Sequence, residues 1–339
     1  MNISSIGIDL AKSVFQLHGV DQRGKAVLRK KLSRAQVLPF LSNLPKCIVG
    51  MEACGGSNYW AREIEKLGHE VRLIPAQFVK PFVKSNKNDA ADAEAICEAM
   101  SRPSMRFVAI KSVEQQDIQS LHRIRSRLIK SRTALSNEIR GLLHENGIVF
   151  PQSVGRLRKE LIRILAEGET LMLTSLFLGL LSGLQEELGQ LDGRIDQLDA
   201  QIARIHKSHP MTQLLAEIPG IGPLTATALV AASRPQAFKN GRQYSAWLGL
   251  VPRQHSSGGK DKLLGISKRG DVYLRMLLIQ GAMSVLRTIE NKEDRRSQWI
   301  KKLIERRGTN RAAVAYANKN ARTAWAMLST GQHYRLQTA

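Results

Sequence analysis

ISSIGIDLAKSVFQLHGVDQRGKAVLRKKL, residues 3–32, decides how the first third of the chain folds. Apolar residues alternate over 3–10, and two further extended segments follow at 14–20 and 26–32, the latter pair separated by the turn Asp21-Gln22-Arg23-Gly24. Three strands joined by short connections predict a meander. A helix-like stretch at 35–44 leads to a strand at 47–51, a helix at 59–67 and a strand at 70–74, which completes the order β-β-β-α-β-α-β. The next segment, 89–100, places Ala90, Ala93, Ile96, Cys97 and Met100 on one helical face, and a first domain is expected over 1–107.

Beyond it the periodicity changes. Ile118, Leu121, Ile124, Leu128, Leu135, Ile139 and Leu142 form one stripe of a basic helix over 112–146. Leu184, Leu188, Leu191, Ile195, Leu198, Ile202 and Ile205 alternate steps of four and three, which is a heptad. Residues 108–208 therefore predict a helical, coiled-coil middle, and heptads alone leave open an internal hairpin of helices or a dimer seam. After His209-Pro210, Gly-Pro punctuation and a basic helical tail from Val272 mark a third unit, 209–339. The fold class is α/β followed by all-α.

Composition narrows the partners. The 339 residues carry 51 Lys and Arg against 29 Asp and Glu, a formal charge of +22 spread along the chain, which implies a polyanion. No apolar run approaches the roughly 20 residues needed to cross a bilayer. The opening MNISSIGIDL lacks the basic region and cleavage site of a secretory signal, so cytoplasmic residence is expected. Cys47, Cys54 and Cys97 are odd in number without CxxC spacing, which argues against a disulfide framework or a structural zinc and reads as core thiols.

Four carboxylates stand out. Asp9 ends the first strand, Glu52 ends the fourth, and Asp89 and Asp92 open a helix three residues apart, on one face. A lone acid at a strand end is ordinarily a turn or cap residue, and an acidic pair opening a helix ordinarily serves its dipole. Yet Asp9 and Glu52 interrupt the apolar strings GIDL and VGMEA, where isolated acids are costly. Clustered, the four would repel unless they held cations. Two Mg²⁺ ions, with Mn²⁺ as the alternative, about 3.5–4 Å apart would resolve that repulsion and suit phosphoryl transfer. Acids in this order on this frame resemble the ribonuclease H-like fold in its Holliday-junction-resolvase variety.

Two further segments look chemical. VPRQHSSGGK, 251–260, followed by ISKRG, 266–270, reads as a polar glycine-containing loop, ordinarily a plain connector. Arg253, Lys260, Lys262, Lys268 and Arg269 around Ser256 and Ser257 make it a candidate phosphate cradle with a serine nucleophile, with His255 or a metal-activated hydroxide as its base. Ile218-Pro219-Gly220-Ile221-Gly222-Pro223 before an apolar helix resembles a helix-hairpin-helix, in which Gly220 and Gly222 free backbone N–H groups for phosphate; a plain tight turn is the alternative.

Together GIDLAK (7–12), MEACG (51–55), NDAADAEAI (88–96), IPGIGPLTA (218–226) and YSAWLGLVPRQHSSGGK (244–260) with ISKRGD (266–271) resemble the insertion-sequence family 110 transposases over nearly the whole chain. The resemblance implies a resolvase-like domain whose Asp-Glu-Asp-Asp tetrad matches Asp9, Glu52, Asp89 and Asp92. It also implies a coiled-coil middle and a C-terminal transposase domain whose catalytic serine maps onto Ser257, with Ser256 the less favoured neighbour. DNA is then the substrate and a structured guide RNA made from the element an expected partner; the protein is expected in the cytoplasm of a bacterium or archaeon, associated with the nucleoid. A homo-oligomer is expected through the heptad arm, which could bring Ser257 to the tetrad of another subunit. The alternatives are a junction-cutting metal-dependent nuclease without a covalent intermediate and a non-enzymatic architectural DNA or RNA binder.

Overall fold

The computed structural model describes residues 3–84, 88–149, 152–168, 170–232 and 234–335. The chain divides into two compact units, Met1–Val113 and Glu114–Ala339.

In the first unit, strands β1 (Ser5–Asp9), β2 (Val14–Val20) and β3 (Ala26–Ser33) form the expected antiparallel meander. Its β2–β3 turn is closed by Asp21, whose Oδ1 accepts from the N–H groups of Arg23 and Lys25 at 2.9 Å each. Helix α1 (Val37–Ser42) leads to β4 (Ile48–Glu52), which runs parallel to β1; α2 (Ser57–Lys66) leads to β5 (Glu70–Ile74), parallel to β4. The sheet order β3-β2-β1-β4-β5 puts β1 in the centre. A short α3 (Ala76–Val79) precedes α4 (Asp89–Met100). The unit continues past the expected boundary at 107: Val108 bridges Leu73, and Lys111 N–H donates to Asn58 Oδ1 at 2.9 Å.

Strand alternation divides β1 between two cores. Ile6 and Ile8 pack with Phe15, Val49 and Met51 against Val37, Leu41, Trp60 and Ile64 of α1 and α2. Ser5, Gly7 and Asp9 face α4. At Gly7 the helix backbone lies directly on the strand: a Cβ there would stand 2.3 Å from Ala93 O and 2.6 Å from Cys97 N. At Gly50 on β4 a Cβ would meet Met100 Sδ at 2.7 Å. Two glycines side by side in the Gly7↔Gly50 register therefore form the trough in which α4 rests.

The second unit begins with α5 (Val113–Glu145), α6 (Val154–Glu167) and α7 (Ser175–Ser208). Ion pairs Arg125–Asp199 and Arg132–Asp192 tie α5 to α7 in antiparallel sense. Leu135, Ile139 and Leu143 of α5, Leu157, Leu161 and Ile164 of α6, and Leu181 and Leu188 of α7 form one core. Of the heptad positions, Leu188, Ile195 and Ile202 are buried, whereas Leu184, Leu191 and Leu198 are half-buried. An internal helical bundle thus uses much of the stripe. Next come α8 (Pro210–Ala216), α9 (Pro223–Ala232), α10 (Gly241–Trp247), β6 (Pro252–Ser257), β7 (Lys260–Ile266), α11 (Val272–Leu286), α12 (Arg295–Arg307) and α13 (Thr309–Thr330). The segment read as a polar loop is a β-hairpin, because Gly258 and Gly259 at φ +56° and +74° suit the two central positions of a tight I′ turn.

His122 joins α5 to α9 and α11. Thr227 Oγ1 donates to Pro223 O at 2.8 Å, so it accepts from His122 Nε2–H at 3.0 Å, and Nδ1 accepts from Tyr273 O–H at 3.0 Å. Both ring nitrogens are used by the neutral ring, and burial foremost, then Arg125, pushes its pKa down from 6.5 to about 4.

Two outcomes follow from these contacts. Gly7→Ala should cost about 1–3 kcal/mol by overpacking, read as a lowered melting temperature, whereas alanine at the open Gly55 should not. For His122 the unfolded chain binds the extra proton, so stability should fall as pH drops from 6.5 to about 4, by about 3 kcal/mol if the whole shift is expressed. A His122→Gln chain should lack that acid-limb slope in denaturant titrations.

Candidate functional site

The sheet and α4 carry three of the four predicted carboxylates to one point. Asp9 is the last residue of β1; Asp89 and Asp92 lie in the first turn of α4, whose cap is Asn88, with Oδ1 accepting from Ala91 N–H at 2.7 Å. One carboxylate oxygen from each of Asp9, Asp89 and Asp92 lies within 4.8 Å of the others. Asp9 and Asp92 are half-buried and Asp89 is exposed. The helix N-terminus offsets part of the negative charge. Neither Asp89 nor Asp92 is in an ion pair among the described residues.

Glu52 is outside this trio. It ends β4 one step past the Ile8↔Met51 pair, so it occupies the strand end beside Asp9, and alternation from Gly50 puts it on the α4 face. An all-oxygen set of two half-buried carboxylates and one exposed one suits a hard divalent cation, with Asp9, Asp89 and Asp92 as the ligands at hand and Glu52 adjacent.

Cys54, read from sequence as a core thiol, belongs to this neighbourhood instead. Burial foremost, then the charges of Glu52 and Asp9, push its pKa up, so the thiol stays neutral beside the acids. Its place directly after MEA at the strand end was the available signal. Cys47 and Cys97 are buried, as expected.

On the second unit, the hairpin sorts the serine segment into two faces. Gln254 and Ser256 share one face with Asp261; His255 and Ser257 share the other with Lys262 and Lys260, their cross-strand partners. Ser256 is engaged: its Oγ donates to Asp261 Oδ1 at 2.6 Å and accepts from Gln254 Nε2 at 2.8 Å. The same two groups hold the Asp261 carboxyl below its ordinary range, which makes it a poor base. Ser257 Oγ has no hydrogen-bond partner among the described residues and lies across from Lys260. All of β6 is exposed. The segment expected to cradle phosphate is paired as a hairpin, and the basic side chains at hand for an anion there are Arg253, Lys260, Lys262 and, after the hairpin, the exposed Lys268 and Arg269. Lys268 has φ +55° and its N–H donates to Gly249 O at 3.2 Å.

The 218–222 turn joins α8 to α9. Pro219 O accepts from Tyr316 O–H at 2.9 Å and Asn320 Nδ2 at 3.0 Å. Gly220, at φ +93°, packs on α11, where a Cβ would meet Gly281 O at 2.8 Å; Gly222 has open space around its Cβ position. Packing alone therefore accounts for Gly220, and Gly222 is the more accessible of the two.

Residues 6–148 match a DEDD-type transposase model, and residues 212–299 match the model of the transposase IS116/IS110/IS902 family. The chain is 53% identical over 336 residues to a probable family 20 transposase of Pseudomonas aeruginosa, covering 99% of both chains. It is 50% identical to the transposase for insertion sequence element IS1111A of Coxiella burnetii, over 98% of this chain and 92% of that one. It is 42% identical to the transposase for insertion sequence element IS1328 of Yersinia enterocolitica, over 97% and 98% respectively. With such matches running end to end, the chain belongs to the IS116/IS110/IS902 family of transposases.

Proposed function

We propose that the chain is a DNA recombinase that excises and inserts a mobile element by cutting a strand with a serine nucleophile and rejoining it, assisted by a divalent metal. The observation that carries this reading is the convergence of Asp9, Asp89 and Asp92 from a central strand and a helix start. In this reading the first unit is ribonuclease H-like, and Asp9, Glu52, Asp89 and Asp92 hold Mg²⁺ or Mn²⁺. Such an ion supplies Lewis-acid stabilisation of charge building on a phosphate.

The remaining roles fall to side chains of the second unit. Ser257 Oγ attacks the scissile phosphorus, forming a P–O–Ser bond as the P–O bond to the leaving deoxyribose oxygen breaks. His255, on the same hairpin face, takes the serine proton and passes it to the departing oxygen. Lys260 and Lys262 stand beside Ser257 and His255, where the phosphate charge grows. Rejoining reverses these steps with a different deoxyribose hydroxyl, so phosphodiester energy is conserved. Ser256 positions the hairpin through Asp261 rather than attacking. Arg253, Lys268, Arg269 and the open Gly222 turn track DNA backbone, with Gly220 shaping that turn.

The charge of +22 suits both DNA and the structured guide RNA that the family resemblance implies. Homo-oligomerisation through the helical arm is supported by Met172, Leu176 and Leu180, which are 92%, 76% and 57% exposed at its tip. No helix among the described residues is long and apolar enough to cross a membrane.

Asp89→Asn and Asp92→Asn should each lower element-end cleavage more than ~100-fold in Mg²⁺, with the melting temperature retained. Unchanged cleavage would reduce the acids to caps. On a denaturing gel with labelled element-end DNA, Mg²⁺ and co-purified RNA, the wild-type and Ser256→Ala chains should form a covalent adduct that Ser257→Ala lacks. Cleavage without an adduct in any of the three would mean hydrolysis instead.

A further inference from the structure

The second unit contains a cleft of about 1680 Å³ between β7, the start of α10 and the facing sides of α12 and α13. Its lining includes Arg242, Arg307, Arg311, Lys319 and Arg322, and no Asp or Glu. None of the five is in an ion pair among the described residues. Like charges converging without counter-charge suit a polyanion, whose arrival releases its own counterions. The wall is also apolar: Leu263 is 68% exposed, Leu264 40% and Trp299 37%, and Lys319 Nζ stands 4.9 Å from the Trp299 ring centre. Duplex DNA presents phosphates outward and keeps its bases stacked inside, so it has no use for an accessible indole. Unpaired bases do, because they stack on aromatic faces while cations follow the backbone.

Leu263, Leu264 and Ile266 belong to β7, the strand paired with the Ser257-bearing β6. A strand seated in the cleft therefore runs along the hairpin. We infer that this cleft holds an unpaired DNA segment beside the serine hairpin, with a base stacked on Trp299 and its phosphates on Arg311 and Arg322. The choice of DNA rests on the reading of Ser257 as the residue that attacks a DNA phosphate; the fit to an unpaired strand rests on the cleft alone.

Fluorescence anisotropy of the full chain with a short labelled oligothymidylate, its duplex and an oligouridylate tests this. Trp299→Ala should weaken oligothymidylate binding about tenfold, and Trp299→Phe much less, because a ring is kept. The double change Arg311→Gln, Arg322→Gln should weaken it and flatten its salt dependence. Duplex affinity should hold in Trp299→Ala, and Ser257→Ala should bind oligothymidylate as the wild type does. If Ser257→Ala still formed the covalent adduct while Trp299→Ala lost the oligothymidylate, the serine reading would fail and the cleft would stand. Equal oligothymidylate binding by wild type and Trp299→Ala would overturn the inference. So would a parallel loss of duplex binding, or an oligouridylate bound more tightly than oligothymidylate and lost in its place.

Discussion

In the first unit α4 crosses β1 at Gly7 with the helix backbone lying directly on the strand. Ser5, Gly7 and Asp9 face Cys97, Ala93 and the Asp89–Asp92 turn in succession, so strand and helix run against each other like two edges of one seam. If a side chain stood at Gly7, the helix would lift and the acids at its N-terminal end would move away from Asp9. Packing and chemistry are thus one constraint: the glycines bring the helix down, and its first turn lands beside the strand-end carboxylate. Three acids so close would destabilise the fold if their charge went unmet, which is why a cation is the natural complement of this geometry.

On the second unit the same economy of backbone geometry acts on serine chemistry. The two-glycine turn sets the hairpin register, and the register decides which neighbours each serine has. One residue of slip would exchange the two faces and place Ser257, not Ser256, against Asp261. Elsewhere Gly220 and Gly281 allow the 218–222 turn to sit against α11, while Pro219 O is held from α13 by Tyr316 and Asn320.

The meander, the β4–β5 pair and the helix carrying Asp89 and Asp92 were legible in the sequence because alternation and 3.6-residue periodicity report which face is buried. Asp9 was legible because an acid in an apolar strand is costly. The Gly7 seam was not, since periodicity says nothing of how closely two elements approach. The 252–266 hairpin was missed because β6 is polar and exposed throughout and the apolar Leu263 and Leu264 of β7 are consecutive rather than alternating; the Gly258-Gly259 pair was its one local signal. Helix α6 escaped notice between two longer stripes, although Leu157, Leu161 and Ile164 keep helical spacing. The Trp299 cleft draws on separate segments and has no single-stretch signature.

The most direct test of the carboxylate centre is the electron paramagnetic resonance of Mn²⁺ titrated into the full chain, comparing wild type with Asp92→Asn at matched folding. The wild type should remove Mn²⁺ from the free signal and Asp92→Asn should do so much more weakly, since one of three converging ligands loses its charge. Equal Mn²⁺ uptake by the two chains would contradict a metal centre at Asp9, Asp89 and Asp92.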